Sequence, residues 1–173
     1  MALHPEIGDR LAAEVHAVAG DAPPDGRNLP KLTYARWIFA ETLRLYPAAI
    51  ALPRQAQKSV ALRNYTVPKG TLVMVATWCA HRDPRWWEEP LEFRPERWNP
   101  SRASDRPKFA YFPFGGGART CIGEAFAWNE GALVLATLAQ RWRAKGVPGR
   151  EVQPEALFTA RPQGGLPMVV EVR

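Results

Sequence analysis

One ten-residue run concentrates the chemistry of this chain: Phe114-Gly115-Gly116-Gly117-Ala118-Arg119-Thr120-Cys121-Ile122-Gly123. Cys121 stands where a glycine-rich loop hands over to a helical pattern. Main-chain N–H groups and the helix dipole at such a junction favour a thiolate. The glycines let the backbone approach a flat ligand closely. Arg119, two residues ahead of the cysteine, is placed to pair with an anionic group beside it. A thiolate in this setting can ligate haem iron and push electron density toward O–O cleavage. Three plainer uses compete. A cysteine is often a small buried hydrophobe. A glycine loop before a helix can cradle phosphate, but the Lys-Ser/Thr pair and the preceding strand pattern are missing. Zinc would need a second ligand pair beside Cys79 and His81, and the sequence offers none.

The elements that must position this loop are legible in outline. A helix is predicted from about Pro5 to Val18, with Ile7, Leu11, Val15 and Val18 at helical spacing and Gly20 ending the run. Asp21–Pro30 reads as a loop. A second helix is predicted over Leu32–Tyr46, stopped by Pro47. Glu41 and Arg44, three residues apart, share a face of it. From Ala49 to Val75 the pattern turns to strands, near Val60–Thr66 and Thr71–Val75. Val67-Pro68-Lys69-Gly70 suits a type I turn between them. Trp78–Asn99 reads as ordered coil anchored by its tryptophans. A third helix is predicted over Ile122–Ala144 with Phe126, Val134, Leu138 and Trp142 on its apolar stripe. Two short strands, Leu157–Ala160 and Met168–Val172, flank Gly164-Gly165.

Composition narrows the class. The chain has 173 residues, 46% of them hydrophobic and 23% charged, which fits one globular domain or a large piece of one. With 17 Pro and 13 Gly, much of it must be turn and irregular coil. Two cysteines make no disulfide framework. Net charge is +6, yet the 23 basic residues are dispersed and form no block, which argues against a nucleic-acid partner. No apolar run is long enough to span a bilayer. Met1–Arg10 carries charges and no apolar core, unlike a signal peptide, so the expected location is cytoplasmic.

The cysteine loop resembles the haem-binding signature of the cytochrome P-450 family, Phe-x-x-Gly-x-Arg-x-Cys-x-Gly, at Phe114, Gly117, Arg119, Cys121 and Gly123. At about 5% usage per residue, a chance match in a chain this short is on the order of 10⁻⁴. Two further family motifs stand in order: Glu41-Thr-Leu-Arg44, followed by Leu-Tyr-Pro, and Phe93-Arg-Pro-Glu-Arg97-Trp98. The resemblance runs from about His4 to Val172. It implies a mixed fold, mainly α, with a small β-sheet, long coil and a cysteine-ligand loop. That is the C-terminal, proximal part of the cytochrome P-450 fold.

The resemblance also implies roles. Cys121 matches the axial iron ligand of haem b (iron protoporphyrin IX) and the catalytic centre. Phe114 matches the aromatic beside the thiolate; Gly117 and Gly123 match positions where a side chain would collide with the loop or the porphyrin. Arg119 matches a partner of a haem propionate, and Arg54, further along from Glu41, matches a second. Glu41, Arg44 and Arg97 match a structural triad. Ala49, Ile50, Ala51 and Phe158 match points that line the substrate pocket, and each is equally suited to core packing. Cys79 and His81 receive no role. The implied reaction is that of a haem-thiolate monooxygenase: O₂ is reductively activated and one oxygen is inserted into an apolar small molecule. Electrons would come from a ferredoxin and its reductase or from a flavoprotein reductase. A complete family member is more than twice this length. The chain is therefore expected to be a truncated or separately encoded C-terminal portion. It would lack the N-terminal helices and the central oxygen-activating helix, and alone it would associate and couple electrons poorly to product. The alternative is a non-catalytic haem-binding remnant.

Overall fold

The structure is a computed structural model that describes residues 2–102, 106–156 and 159–173. Helix α1, Pro5–Ala19, begins on a proline that suits a first helical turn and ends at Gly20, whose φ of 61° breaks the helix. Helix α2, Thr33–Leu45, receives its N-terminal cap from α1: the Glu14 carboxylate accepts the N–H groups of Tyr34 at 2.6 Å and Ala35 at 3.0 Å. These are two of the donors a helix start leaves unpaired. Helix α4, Glu124–Arg141, crosses both; the four-residue helix α3 spans Thr77–Ala80.

The core lies between α1, α2 and α4. Ile7, Leu11 and Val15 meet Leu32, Tyr34, Ala35 and Ile38, and the face of α4 turned to them is Ala132, Ala136 and Ala139. Small residues bring that helix close. A Cβ added at Gly131 would fall 2.4 Å from the Phe39 ring. The stripe predicted for this helix is therefore corrected: Phe126 (70% exposed), Val134 and Leu138 face outward, and alanines form the packed side.

Among the described residues the strands are short and antiparallel, in four separate pairs rather than one small sheet. β1 (Leu52–Gln55) pairs with β4 (Leu72–Val75), placing Arg54 opposite Val73. Between them, β2 (Val60–Leu62) and β3 (Tyr65–Val67) form a hairpin turning at Arg63, whose φ is 52°. The expected strand Val60–Thr66 is thus two strands. The turn after it also closes one residue later than predicted. Thr71 N–H donates to Pro68 O at 3.2 Å, while Gly70 N–H goes to Ala56 O at 2.7 Å. Gly70, at φ 86°, then occupies the third turn position, which demands a positive φ. Past α4, β5 (Trp142–Gly146) pairs with β8 (Met168–Val172), and β6 (Pro154–Ala156) with β7 (Ala160–Pro162). Leu157 and Phe158 of the expected strand Leu157–Ala160 lie outside the described residues, and its last residue, Ala160, opens β7.

Candidate functional site

The site is assembled on two networks, one buried and one open. Glu41, fully buried on α2, is the hub of the first. Its Oε1 accepts Arg44 Nη2 at 2.8 Å, Arg97 Nε at 3.2 Å and the Arg94 N–H at 2.9 Å; its Oε2 accepts Arg44 Nε at 2.9 Å and Trp98 Nε1 at 3.0 Å. The Glu41–Arg44 pair is two-pronged, the strong geometry for a guanidinium. Arg44 spends its remaining donors on main-chain carbonyls: His81 at 2.9 Å, Pro90 at 2.6 Å and Glu92 at 2.9 Å. Arg97 Nη2 reaches Glu89 O at 2.6 Å. Burial lowers the pKa of the Arg97 guanidinium and the Glu41 charge opposes that shift. The three residues expected as a triad are thus brought together by geometry. They are joined by two donors that sequence reasoning missed, the Trp98 indole and the Arg94 amide. A tryptophan after Glu-Arg was the available signal for the first. The second, a backbone group, leaves none.

The cysteine loop is the open network. Its backbone closes on itself: Gly115 N–H donates to Phe112 O at 2.9 Å, Thr120 N–H to Gly117 O at 3.1 Å and Cys121 N–H to Phe114 O at 2.9 Å. Gly117, at φ 72°, is required by backbone conformation. A Cβ there would meet no protein atom, and one on Gly123 would lie 3.8 Å from Cys121 Sγ, an ordinary contact. Cys121 is exposed, which removes the buried-hydrophobe use. It lies three residues ahead of α4, whose first residue is Glu124 rather than Ile122. The Phe114 ring turns toward α4, 6.1 Å from Trp128.

β1 rests on this loop. A Cβ on Gly115 would touch Leu52 Cδ1 at 3.4 Å. A cleft of about 390 Å³ runs between them, lined by Arg54, Leu52, Val75, Phe109 and Gly116. Phe114, Gly117 and Thr120 line a neighbouring cleft of about 360 Å³. Cys121 and Arg119 line neither; both project into open solvent. The Arg54 side chain bonds only the adjoining Pro53 carbonyl, at 2.8 Å, and Arg119 makes no side-chain hydrogen bond among the described residues. Neither guanidinium has a carboxylate partner there.

Ile50 and Ala51 line an apolar cavity of about 300 Å³ with Trp78, Cys79 and Ala160. Ala49 instead uses its carbonyl to take the Thr77 hydroxyl. Phe158 lies outside the described residues. His81, given no role from sequence, is fully buried, with Nε2 accepting the Phe112 N–H at 2.9 Å. Among the described residues no group of three or more His, Cys, Asp or Glu gathers, and no helix is long and apolar enough to cross a membrane.

Cyclooctatin synthase of Streptomyces melanosporofaciens is 38% identical over 163 residues, covering 94% of this chain and 35% of its own. Cyclooctat-9-en-7-ol 5-monooxygenase of the same organism is 39% identical over 170 residues, 98% of this chain and 37% of its own. Pentalenene oxygenase of Streptomyces avermitilis is 37% identical over 156 residues, 90% of this chain and 35% of its own. The chain thus spans little more than a third of the length of these relatives. The family model described as cytochrome P-450 matches residues 1–166. With the buried Glu-Arg-Arg cluster, the exposed loop cysteine and a family match over nearly all its length, this chain belongs to the cytochrome P-450 family.

Proposed function

We propose that the chain forms the cysteine-loop part of a haem-thiolate monooxygenase acting on an apolar organic molecule. One observation carries the reading: an exposed Cys121 on a loop locked by its own backbone, set against a strand that presents Arg54. The residues present fit haem b. An iron porphyrin needs one soft ligand, apolar walls and cations for its two carboxylates. Cys121 is the soft ligand; Leu52, Val75 and Phe109 are walls; Arg54 and Arg119 are guanidiniums without carboxylate partners among the described residues. Bound there, haem supplies reductive activation of O₂ and insertion of one oxygen atom into substrate.

The chain's own residues hold and orient. Phe114 fixes the loop through its carbonyl, which accepts the Cys121 N–H, while its ring packs toward Trp128 on α4. Gly117 and Gly123 keep that surface free of side chains. Glu41, Arg44 and Arg97 are scaffold, tying α2 to the coil ahead of the loop. Ile50 and Ala51, with Ala49 beside them in sequence, belong to the substrate side, and the resemblance assigns Phe158 to it as well. The names of the relatives, an alkenol monooxygenase and a pentalenene oxygenase among them, support an apolar hydrocarbon-like substrate. Electrons come from a ferredoxin with its reductase or from a flavoprotein reductase.

The test is the spectrum of haem-reconstituted, reduced, carbonyl-bound protein. Thiolate ligation gives the red-shifted Soret band. Cys121→Ser is expected to abolish that band while leaving the helical circular dichroism unchanged. An undiminished band in the variant would refute the assignment.

A further inference from the structure

His81 stands where the two networks meet. The imidazole is fully buried, clamped by the rings of Tyr111 at 5.1 Å and Phe112 at 5.3 Å. Its carbonyl takes Arg44 Nη1 at 2.9 Å, so its backbone belongs to the Glu41 cluster. Its Nε2 accepts the N–H of Phe112, the residue whose own carbonyl closes the first turn of the cysteine loop. A ring nitrogen that accepts from an amide must carry a lone pair, so the ring is neutral with its proton on Nδ1. Nδ1 has no hydrogen-bond partner among the described residues, and the main chain of Leu43 and Arg44 favours protonation of the ring. The cations facing the ring, Arg44 and Arg82, disfavour a second proton, as burial does.

We propose that His81 is a positioning residue for the cysteine loop: its neutral ring, through Nε2, fixes the Phe112 N–H and so sets the entry of the loop relative to the Glu41–Arg44 cluster. Phe112 is itself buried, so its N–H depends on the His81 acceptor. The loop's purpose rests on the haem reading; the contact does not.

Amide hydrogen exchange on the haem-free full chain tests it. In His81→Leu, exchange from Phe112 to Cys121 should quicken about tenfold or more, with α1 and α2 unchanged, because a buried donor loses its acceptor. His81→Gln carries an oxygen near the Nε2 position and should restore protection. His81→Asn carries its oxygen near the Nδ1 position and should not. Equal loop exchange in the Gln and Asn variants overturns the proposal, even if the Leu variant misfolds. Imidazole nitrogen shifts of the unsubstituted chain should show a bare Nε2 and a protonated Nδ1; the reverse tautomer also overturns it. After haem reconstitution, the share of thiolate-type Soret band should fall in His81→Asn and persist in His81→Gln. If the unsubstituted chain never gives that band while exchange follows the Gln/Asn pattern, the haem reading fails and the role of His81 stands.

Discussion

At the scale of single residues, Glu41 is saturated: five donors converge on one carboxylate from which water is excluded. Glu41→Gln keeps the volume but turns an N–H₂ toward donors. We expect it to cost about 3–5 kcal/mol, the usual range when one partner of a buried ion network is removed. The urea midpoint measures this, and a loss below about 1 kcal/mol would contradict it. His81 gives a second expectation, for pH. Burial pulls its pKa from 6.5 down to about 4. The unfolded ring therefore binds a proton that the folded ring refuses. Stability from this group is complete above about pH 6.5 and is lost as pH falls toward 4, a span of about 3 kcal/mol. Stability of His81→Gln should be flatter than that of the parent chain across this window. Parallel curves would show that the ring protonates without strain. Sequence reasoning reached Glu41, Arg44 and Arg97 because their motifs have fixed spacing. It passed over His81 because the partner of its ring is a backbone amide thirty-one residues away, and backbone donors have no letter in a sequence.

Elements were legible where periodicity was strong. The spans of α1 and α2 agree with the predicted ones to within a residue, since apolar positions repeat and Gly20 and Pro47 stop them. The face of α4 was misread because hydrophobic size was taken as the mark of burial. Three helices that pack this closely need alanine, and the large side chains are left outside. Gly131 makes the point testable. Gly→Ala inside a helix ordinarily stabilises by about 0.5–1 kcal/mol. Here the new methyl would meet a Phe39 ring already held edge-on by Trp128 at 5.2 Å. Overpacking costs about 1–3 kcal/mol, so the clash should win. Gly131→Ala is expected to lower the melting temperature by several degrees; a rise would mean that the ring yields freely.

On the scale of the whole molecule, surface is in excess. A compact 19.3 kDa monomer exposes about 8,500 Å², whereas this chain exposes 11619 Å². Ile122, Phe126, Val134 and Leu138 contribute an apolar stripe along the cysteine loop and α4. We expect concentration-dependent association of the 173-residue chain. Val134→Glu with Leu138→Glu should reduce it in light scattering without lowering the unfolding midpoint, because neither side chain is buried. Association unaltered by both substitutions would place the contact elsewhere. The two-stranded pairs share this surplus: a strand's letters do not say how many neighbours it has. One further consequence lies in Arg44. It fastens the coil between His81 and Glu92 by grasping three carbonyl oxygens, and every amino acid owns one. The side chains of Pro90 and Glu92 are therefore free to drift over evolutionary time, while the guanidinium that reads only their backbone is not. A long irregular segment can in this way take part of its path from one arginine on a helix elsewhere, beside the anchor of its own buried Trp87.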